Sequence, residues 1–370
     1  MSSVKMKFDP KVLLKVVKIA GRWCKMKVIN RRRDRMQTVL VSLEVILSIL
    51  GLVAVGFFVI AKNIIPKELL RLLNALAIEV ALPMFIFTAF MMNFDPEENP
   101  KWWVMPLLGV VFTGFMFILS AVCCRFMGRD IRIESAEGLF INNPHFIPIS
   151  IIAGVYGINS PHLVNLFLFT VFTISIYFNM YRVFFKKSRL LCGVDGPPVE
   201  NEEPQEGDMR QKAGLNWKKL INPVVKATFL AVIIKLLNVD SYIPDVVIGI
   251  TSHIGDMTFP LVMIILGGEL YIDIKKIGKI YLRNIIKFIL LKNIVFPCII
   301  LIFLYLFHPS FDIAFILLLQ AASPPLSTLP VLVGRQNGKK ELANQFLVSS
   351  FFFSVVSIPL ILILLNRLYV

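Results

Sequence analysis

Long apolar runs separated by short polar segments dominate the chain from residue 38 onward. A helix that crosses a bilayer needs about 20 mostly apolar residues. Ten stretches meet that requirement, at roughly 38–62, 67–93, 102–124, 135–157, 160–184, 217–238, 244–270, 280–307, 309–334 and 341–368. The pattern therefore predicts an all-α membrane protein with ten transmembrane helices.

One polar stretch divides these segments into two groups of five. Residues 186–216 are rich in Pro, Gly and acidic residues and contain little that would pack in a core, which is typical of a flexible linker. We therefore predict a first transmembrane repeat at 37–185, a flexible cytosolic linker at 186–216 and a second transmembrane repeat at 217–370.

Composition and charge agree with lipid as the solvent. The 370 residues are 56% hydrophobic, whereas soluble domains are about 45–50% apolar. Most of the net charge of +15 lies in the N-terminal residues 1–36. Beyond them, Lys and Arg cluster in every second loop, and the alternate loops are acidic or nearly neutral. This is the positive-inside pattern of multi-pass membrane proteins, so the basic balance does not indicate a nucleic-acid partner.

The N-terminal segment 1–36 is a basic extension with an amphipathic pattern. Over residues 11–29 the apolar side chains form one helical stripe, with Lys and Arg around the rest of the helix. Such a helix lies on a membrane surface, although an organelle transit segment is an alternative. The alternation of loop charges places residue 1 outside, against the positive-inside rule, so its side of the membrane stays open.

The two groups of segments share internal features. The second segment has Glu79 four residues before Pro83, and the seventh has Asp256 four residues before Pro260. The fourth and ninth segments both carry several prolines and polar side chains at mid-membrane depth. Because each repeat has an odd number of helices, the second copy must be inverted in the membrane, as in many secondary transporters.

The prolines predict two broken helices that cross. Proline lacks an amide donor and clashes with the carbonyl one turn earlier, and the freed backbone groups are tolerated only within protein or against water. A helix that begins in such a break offers amides and partial positive charge to an anion. The candidate substrate-binding residues are Asn142, Asn143, Pro144, Pro148, Gln320, Ser323, Pro324, Pro325 and Thr328. The alternative is that the breaks serve only packing.

Three titratable residues are candidates for coupling or charge movement. Glu79 and Asp256 recur at equivalent places in the two repeats, and His145 lies in the first break. Ionisable residues within a membrane are costly and usually functional, so proton coupling is one interpretation. The alternative is that each carboxylate caps a neighbouring backbone break, and that His145 is a satisfied interior histidine.

The chain resembles the auxin efflux carrier family over roughly residues 38–368. The motifs that carry the resemblance are LPMFIFTAF, NNPHFIPIS, the Asn222-Pro223 start of the sixth segment, IGDMTFPLVMIILGGEL and ASPPLSTLPVLVGRQNG. In bacterial and plant members the Asn commonly lies seven residues before the motif proline and small residues follow it. Here Asn142 lies six residues before Pro148, and Pro144 and His145 stand in place of the small residues. In this spacing the chain is similar to non-plant eukaryotic members.

The resemblance implies an architecture and a function. Segments one, two, six and seven would form a scaffold, and the others a mobile domain with broken, crossing helices 4 and 9, like those of NhaA and the bile-acid symporters. The implied activity is efflux of a small organic anion, a carboxylate such as an auxin-like or metabolic acid, by elevator-type alternating access. The alternative function is a non-transporting receptor or regulator on a transporter fold.

The remaining expectations concern partners and place. The sequence contains no protease-type motif and only four His residues, so we expect no enzyme activity, metal or cofactor. The expected partners are the organic anion, membrane lipids, a coupled proton and a second copy docked through the scaffold helices. The expected location is the endoplasmic reticulum or plasma membrane, as a multi-pass protein.

Overall fold

The computed structural model describes residues 50–177, 222–335 and 338–369, and its regular elements there are all helical. The predicted all-α class is therefore confirmed. The basic extension at 1–36 and the linker at 186–216 lie outside the described residues. The described part of each predicted segment contains helix, while the domain boundaries and the inverted relation between the repeats stay predictions.

The first group of helices precedes the gap in the description. Its helices are α1, described over Leu50–Ala61, α2 (Lys67–Asn93), α3 (Val104–Cys123), α4 (Arg132–Phe140), α5 (Phe146–Tyr156) and α6 (Pro161–Tyr177). The break between α4 and α5 covers residues 141–145.

The second group follows the gap. Its helices are α7 (Pro223–Leu236), α8 (Asp245–Asp256), α9 (Thr258–Lys275), α10 (Leu282–Phe307), α11 (Phe311–Ala322), α12 (Leu329–Arg335) and α13 (Lys340–Tyr369). The break between α11 and α12 covers residues 323–328. Helices α8 and α9 form one continuous apolar rod, Asp245–Lys275.

Five of the described helices are long and apolar enough to cross a membrane: Lys67–Asn93, Val104–Phe126, Asp245–Lys275, Leu282–Phe307 and Lys340–Tyr369. The other apolar helices are shorter. The fourth and ninth predicted segments each form two short helices, because the breaks at 141–145 and 323–328 interrupt them.

Local sequence explains where several helices begin. Ser160 accepts a hydrogen bond from the His162 amide at 3.2 Å, and Asn222 accepts one from the Val225 amide at 2.8 Å. Each of these caps precedes a proline at the first helical position, where the missing N–H has no cost. Gly157, with φ +87°, ends α5 in a conformation that favours glycine.

Two long helices contain a wide turn of π-helix. These turns are Ala77–Ala81 in α2 and Leu290–Val295 in α10, and each ends two residues before a proline, Pro83 or Pro297. A proline inside a helix cannot donate to the carbonyl four residues earlier, and a π-turn accommodates that defect without ending the helix. Both helices therefore stay long enough to span the membrane.

Glycine permits the closest approaches between helices. A Cβ on Gly267 of α9 would lie 2.0 Å from the Val53 carbonyl oxygen of α1, and one on Gly109 of α3 would lie 1.8 Å from the Phe169 oxygen of α6. Both distances are far below contact. Small residues are the usual means by which helices pack in lipid, where dispersion contacts replace the hydrophobic effect.

We expect Gly109→Ala to destabilise the protein, because α3 and α6 must separate to admit the methyl group. Overpacking of this kind costs about 1–3 kcal/mol, and it should lower the melting temperature of the purified protein in detergent. Gly114→Ala on the same helix is the matched control, since its Cβ would meet nothing within 4 Å. Equal melting temperatures for the two variants would contradict the proposed packing.

Candidate functional site

The two breaks lie against each other in the interior. Asn142 and Pro325 form an isolated antiparallel bridge. The Asn143 amide donates to the Pro324 carbonyl at 2.8 Å, and the Leu326 amide donates to the Ile141 carbonyl at 3.1 Å. Backbone groups that proline removes from the helices are thus satisfied by the opposite break, as buried backbone requires.

Asn142 and Gln320 hold this crossover together. The Asn142 side-chain nitrogen donates to the Gln320 backbone oxygen at 2.8 Å and to the Gln320 side-chain oxygen at 3.1 Å. The Gln320 amide nitrogen donates to the Pro144 carbonyl at 2.8 Å, and the Tyr177 hydroxyl donates to Asn142 Oδ1. Both side chains are buried, and their polar atoms have hydrogen-bond partners within the crossover. Their role in the structure is therefore to join the two breaks.

Asn143 has a different environment from its neighbour. Its Oδ1 accepts a hydrogen bond from the Phe146 amide at 2.9 Å and so caps the N-terminus of α5. The side chain is only 2% exposed and lines a cavity. Among the described residues, its Nδ2 has no hydrogen-bond acceptor, so this donor is available to a molecule in the cavity.

The cavity has about 300 Å³ of empty space, its opening included. Its enclosed part has room for only about one water molecule, so an organic anion requires the cavity to open wider than it does in this structure. The lining comes from the crossover, from α9 and from α13: Asn143, Pro324, Pro325, Ser327, Leu266, Glu269, Leu270, Asp273, Leu347 and Phe351. A mostly apolar wall therefore surrounds a few polar groups.

Two carboxylates on α9 face this cavity, and the sequence reasoning did not select them. Glu269 lies beside the Ser327 hydroxyl, and its Oε2 is buried without a hydrogen-bond partner. Asp273, one helical turn later, is 14% exposed, with its Oδ1 3.9 Å from Lys276 Nζ. An available signal was the i, i+4 spacing of two acids at the end of the apolar run ILGGEL.

The acidic residues chosen from the sequence lie elsewhere. Glu79, in the π-turn of α2, and Asp256, at the end of α8, are exposed, and neither lines the cavity. In this structure they do not share a site with the crossover. A role in coupling stays a prediction for both.

His145 is part of the packed interior of the crossover. It is 1% exposed, and its Nε2 lies 2.9 Å from Thr170 Oγ1, which itself donates to the Leu166 carbonyl at 2.7 Å. Because the threonine proton is used there, we assign the ring proton to Nε2. Nδ1 is then a buried acceptor with no partner among the described residues.

The other candidate residues shape the breaks. Ser323 donates to the Leu319 carbonyl at 2.8 Å and so satisfies the last turn of α11. Thr328 begins the return into α12, and its hydroxyl is buried without a partner in the described chain. Pro144 offers its carbonyl to Gln320, and Pro148 lies in the first turn of α5. None of these four lines the cavity.

The sequence was compared with models of known protein families and with curated proteins. A family model described as "Membrane transport protein" matches residues 41–362, which is most of the chain. No curated protein matches the sequence.

A fully buried lysine contacts the end of α4, just before the first break. Lys292, in the π-turn of α10, is 0% exposed, and its Nζ donates to the Leu139 carbonyl at 3.2 Å. The ammonium also lies 5.8 Å from the centre of the Phe296 ring. Leu139 is in the last turn of α4, where carbonyls carry partial negative charge. No carboxylate in the described chain lies within ion-pair distance of Lys292.

We expect Lys292→Met to raise the melting temperature of the purified protein. Burying an ammonium with a carbonyl and a ring as its partners costs more than burying a thioether of similar length. The expected rise is on the order of 2–4 °C. Lys287→Met on the same helix, whose ammonium contacts only the Phe126 carbonyl near the surface at 3.5 Å, is the control. A marked fall for Lys292→Met alone would show that the cation is a net stabiliser.

Proposed function

The chain belongs to the auxin efflux carrier family of membrane transport proteins, and we propose that it carries a small organic anion across the membrane and binds it at the crossover. Members of this family are integral multi-pass transporters and not enzymes. The resemblance read from the sequence is thus confirmed. The substrate class, the binding residues and the transport mechanism are our proposal.

The observation that carries the proposal is the position of Asn143. Asn143 lines the cavity, and its Oδ1 accepts from the first amide of α5, which leaves its Nδ2 as a donor for a bound molecule. The N-terminal end of α5 carries partial positive charge. A carboxylate in the cavity would accept from Asn143 and lie close to that helix end, which is a common arrangement for anions in proteins.

The lining supports an organic anion over an inorganic one. Leu266, Leu270, Leu347 and Phe351 present apolar side chains to the same space. These side chains offer no hydrogen bonds, so they suit the aliphatic or aromatic body of an organic acid. Pro324 and Pro325, which lack amide donors, give the opposite wall a fixed shape.

Contacts within two bundles support the elevator mechanism implied by the family. In the proposed scaffold (α1, α2 and α7–α9), Gly267 packs on the α1 backbone, and Thr88 donates to Thr251 at 3.0 Å. In the proposed transport domain (α3–α6 and α10–α13), Gly109 packs on the α6 backbone, and the crossover ties α4–α5 to α11–α12. Each bundle thus has close backbone contacts of its own.

Contacts between the bundles are mostly between side chains, and they include a hydrogen bond from the Asn222 side chain to the Ser175 hydroxyl at 3.2 Å. The Phe85 and Phe167 rings meet edge-on at 6.0 Å, and the Ser150 hydroxyl lies 3.4 Å from the Met263 sulfur. Within the described ranges, no salt bridge joins the two bundles. Apolar side-chain contacts can be exchanged for others as one bundle slides, with little loss of free energy. We propose ten helices in two inverted repeats, and a homodimer through the scaffold, as the setting for this movement.

The test is a thermal-shift screen of the purified full-length chain against a panel of aromatic and aliphatic carboxylates. We expect one class of carboxylate to raise the melting temperature. Asn143→Asp should remove that shift, because the aspartate keeps the acceptor that caps α5 but replaces the donor with a negative charge. Asn159→Ala, an exposed residue in the turn between α5 and α6, should keep the shift.

Two results would contradict the proposal. If no carboxylate shifts the wild type while organic cations do, the substrate class is wrong. If Asn143→Asp keeps the full shift, the binding site is not at the crossover. Uptake of the same carboxylate into proteoliposomes then distinguishes a carrier from a receptor that only binds it.

A further inference from the structure

We propose that Glu269 and Asp273 form a proton site whose occupancy is coupled to anion binding, so that the protein moves its organic anion together with a proton. The inference rests on the proposed function and names the coupling at the same cavity. In this proposal Asn143 and the N-terminal end of α5 remain the contacts of the anion.

The first observation is that two acidic side chains line a cavity proposed to bind an anion. Glu269 and Asp273 lie on one face of α9 and line the same space as Asn143. If both carboxylates were ionised, they would repel a carboxylate held at Asn143 across a mostly apolar cavity, where charges are poorly screened. Binding of an anion therefore favours protonation of at least one of the two.

The second observation is a pair of unmatched polar groups on opposite walls. Glu269 Oε2 is buried and has no donor among the described residues. Asn143 is 2% exposed, and its Nδ2 has no acceptor in the described chain. A protonated Glu269 becomes a donor, so that it and Asn143 both present donors to the cavity. One substrate carboxylate, with two oxygens, satisfies both.

Nearby charges leave this pair only partly compensated. Lys276, on α9 itself, is 3.9 Å from Asp273 but is itself well exposed, and Lys275 lies over the Tyr271 ring at 4.7 Å. From α13, the cavity receives only Leu347 and Phe351, and Glu341 lies against Gly278 beyond the end of α9.

The other elements packed on α9 add no charge at the cavity. The described part of α1 and all of α5 contain no charged side chain. The charged side chains and the histidine of α2 and α8 are exposed: Lys67, Glu68, Arg71, Glu79, Asp245, His253 and Asp256. His145, just before α5, is enclosed with Thr170 away from the lining. Glu269 therefore has no fixed cation beside it, which favours a proton as its partner.

The proton balance of the cycle is simple. In the state open to one side, water delivers a proton to the Glu269 or Asp273 carboxylate, and the anion then binds at Asn143. After the bundles move, the anion leaves to the second side. The carboxyl group then returns its proton to water on the second side. One proton and one anion cross together, and no bond other than O–H changes.

The coupling predicts a pH-dependent affinity. With one proton taken up per anion, the affinity of wild type for the carboxylate selected in the screen should rise about tenfold for each unit of decrease in pH above the protonation range. Glu269→Gln, a permanently neutral mimic of the protonated form, should bind well at all pH values and vary less than about twofold per unit. Asp273→Asn should weaken the dependence in the same direction. Asp245→Asn, at the exposed start of α8, is the control and should keep the wild-type slope.

A substrate-free measurement tests the site by itself. Infrared difference spectra of the wild type over a pH titration should show a protonated carboxyl band at mildly acidic pH that is absent or reduced in Glu269→Gln. If the band is unchanged in both Glu269→Gln and Asp273→Asn, the proton site is wrong, whatever the substrate. Loss of the slope in Glu79→Gln or Asp256→Asn instead would move the coupling to the residues exposed on the scaffold.

Flux measurements separate the two proposals. In proteoliposomes that contain a pH-sensitive dye, addition of the carboxylate should acidify the interior in wild type and leave it unchanged in Glu269→Gln. Carboxylate uptake without proton movement would overturn the coupling and leave the proposed function standing. Stimulation by a sodium gradient at constant pH would assign the pair to a metal cation and overturn the proton site. Absence of both uptake and binding would overturn the proposed function itself.

Discussion

The requirement that backbone groups find partners in a medium without water governs this molecule. Prolines in two apolar segments remove amide donors and leave carbonyls without intrahelical partners. The two breaks solve the problem together, since the Asn143 and Leu326 amides donate to carbonyls of the opposite break. Neither break would be tolerable in lipid alone. At the crossover, each break therefore supplies hydrogen-bond partners for the backbone groups of the other. The cavity lies beside these non-helical segments.

Charges within the fold follow from the same constraint. The Lys292 ammonium compensates the carbonyl end of α4, and Asn143 compensates the amide end of α5. Each end of the first break thus has a dedicated side chain. The carboxylates of Glu269 and Asp273 are only partly matched, by the Ser327 hydroxyl and by Lys276, and they line the cavity. Ionisable side chains within a membrane are costly, and an incompletely matched one is a good indicator of function.

The division of contacts connects this site to transport. Close glycine-mediated backbone contacts lie within each proposed bundle. Between the bundles lie side-chain contacts: aromatic edges, a serine–sulfur contact and the Asn222–Ser175 hydrogen bond. A cavity lined from both bundles, as here by α9 on one side and the crossover on the other, would change shape whenever they slide. Binding and movement would then be coupled by geometry, without a separate gate.

The sequence by itself determined the features that depend on local chemistry. Apolar length located the helices, proline located the breaks at 141–145 and 323–328, and the motifs identified the family. Only the tertiary structure decided which side chains face the cavity. Asn142 and Asn143 are adjacent, but successive residues of an extended segment point to opposite sides, so one binds Gln320 and the other lines the cavity. Likewise, the rotation of a helix about its own axis is set by its neighbours, which is why Glu269 and Asp273 face the crossover and Glu79 and Asp256 do not.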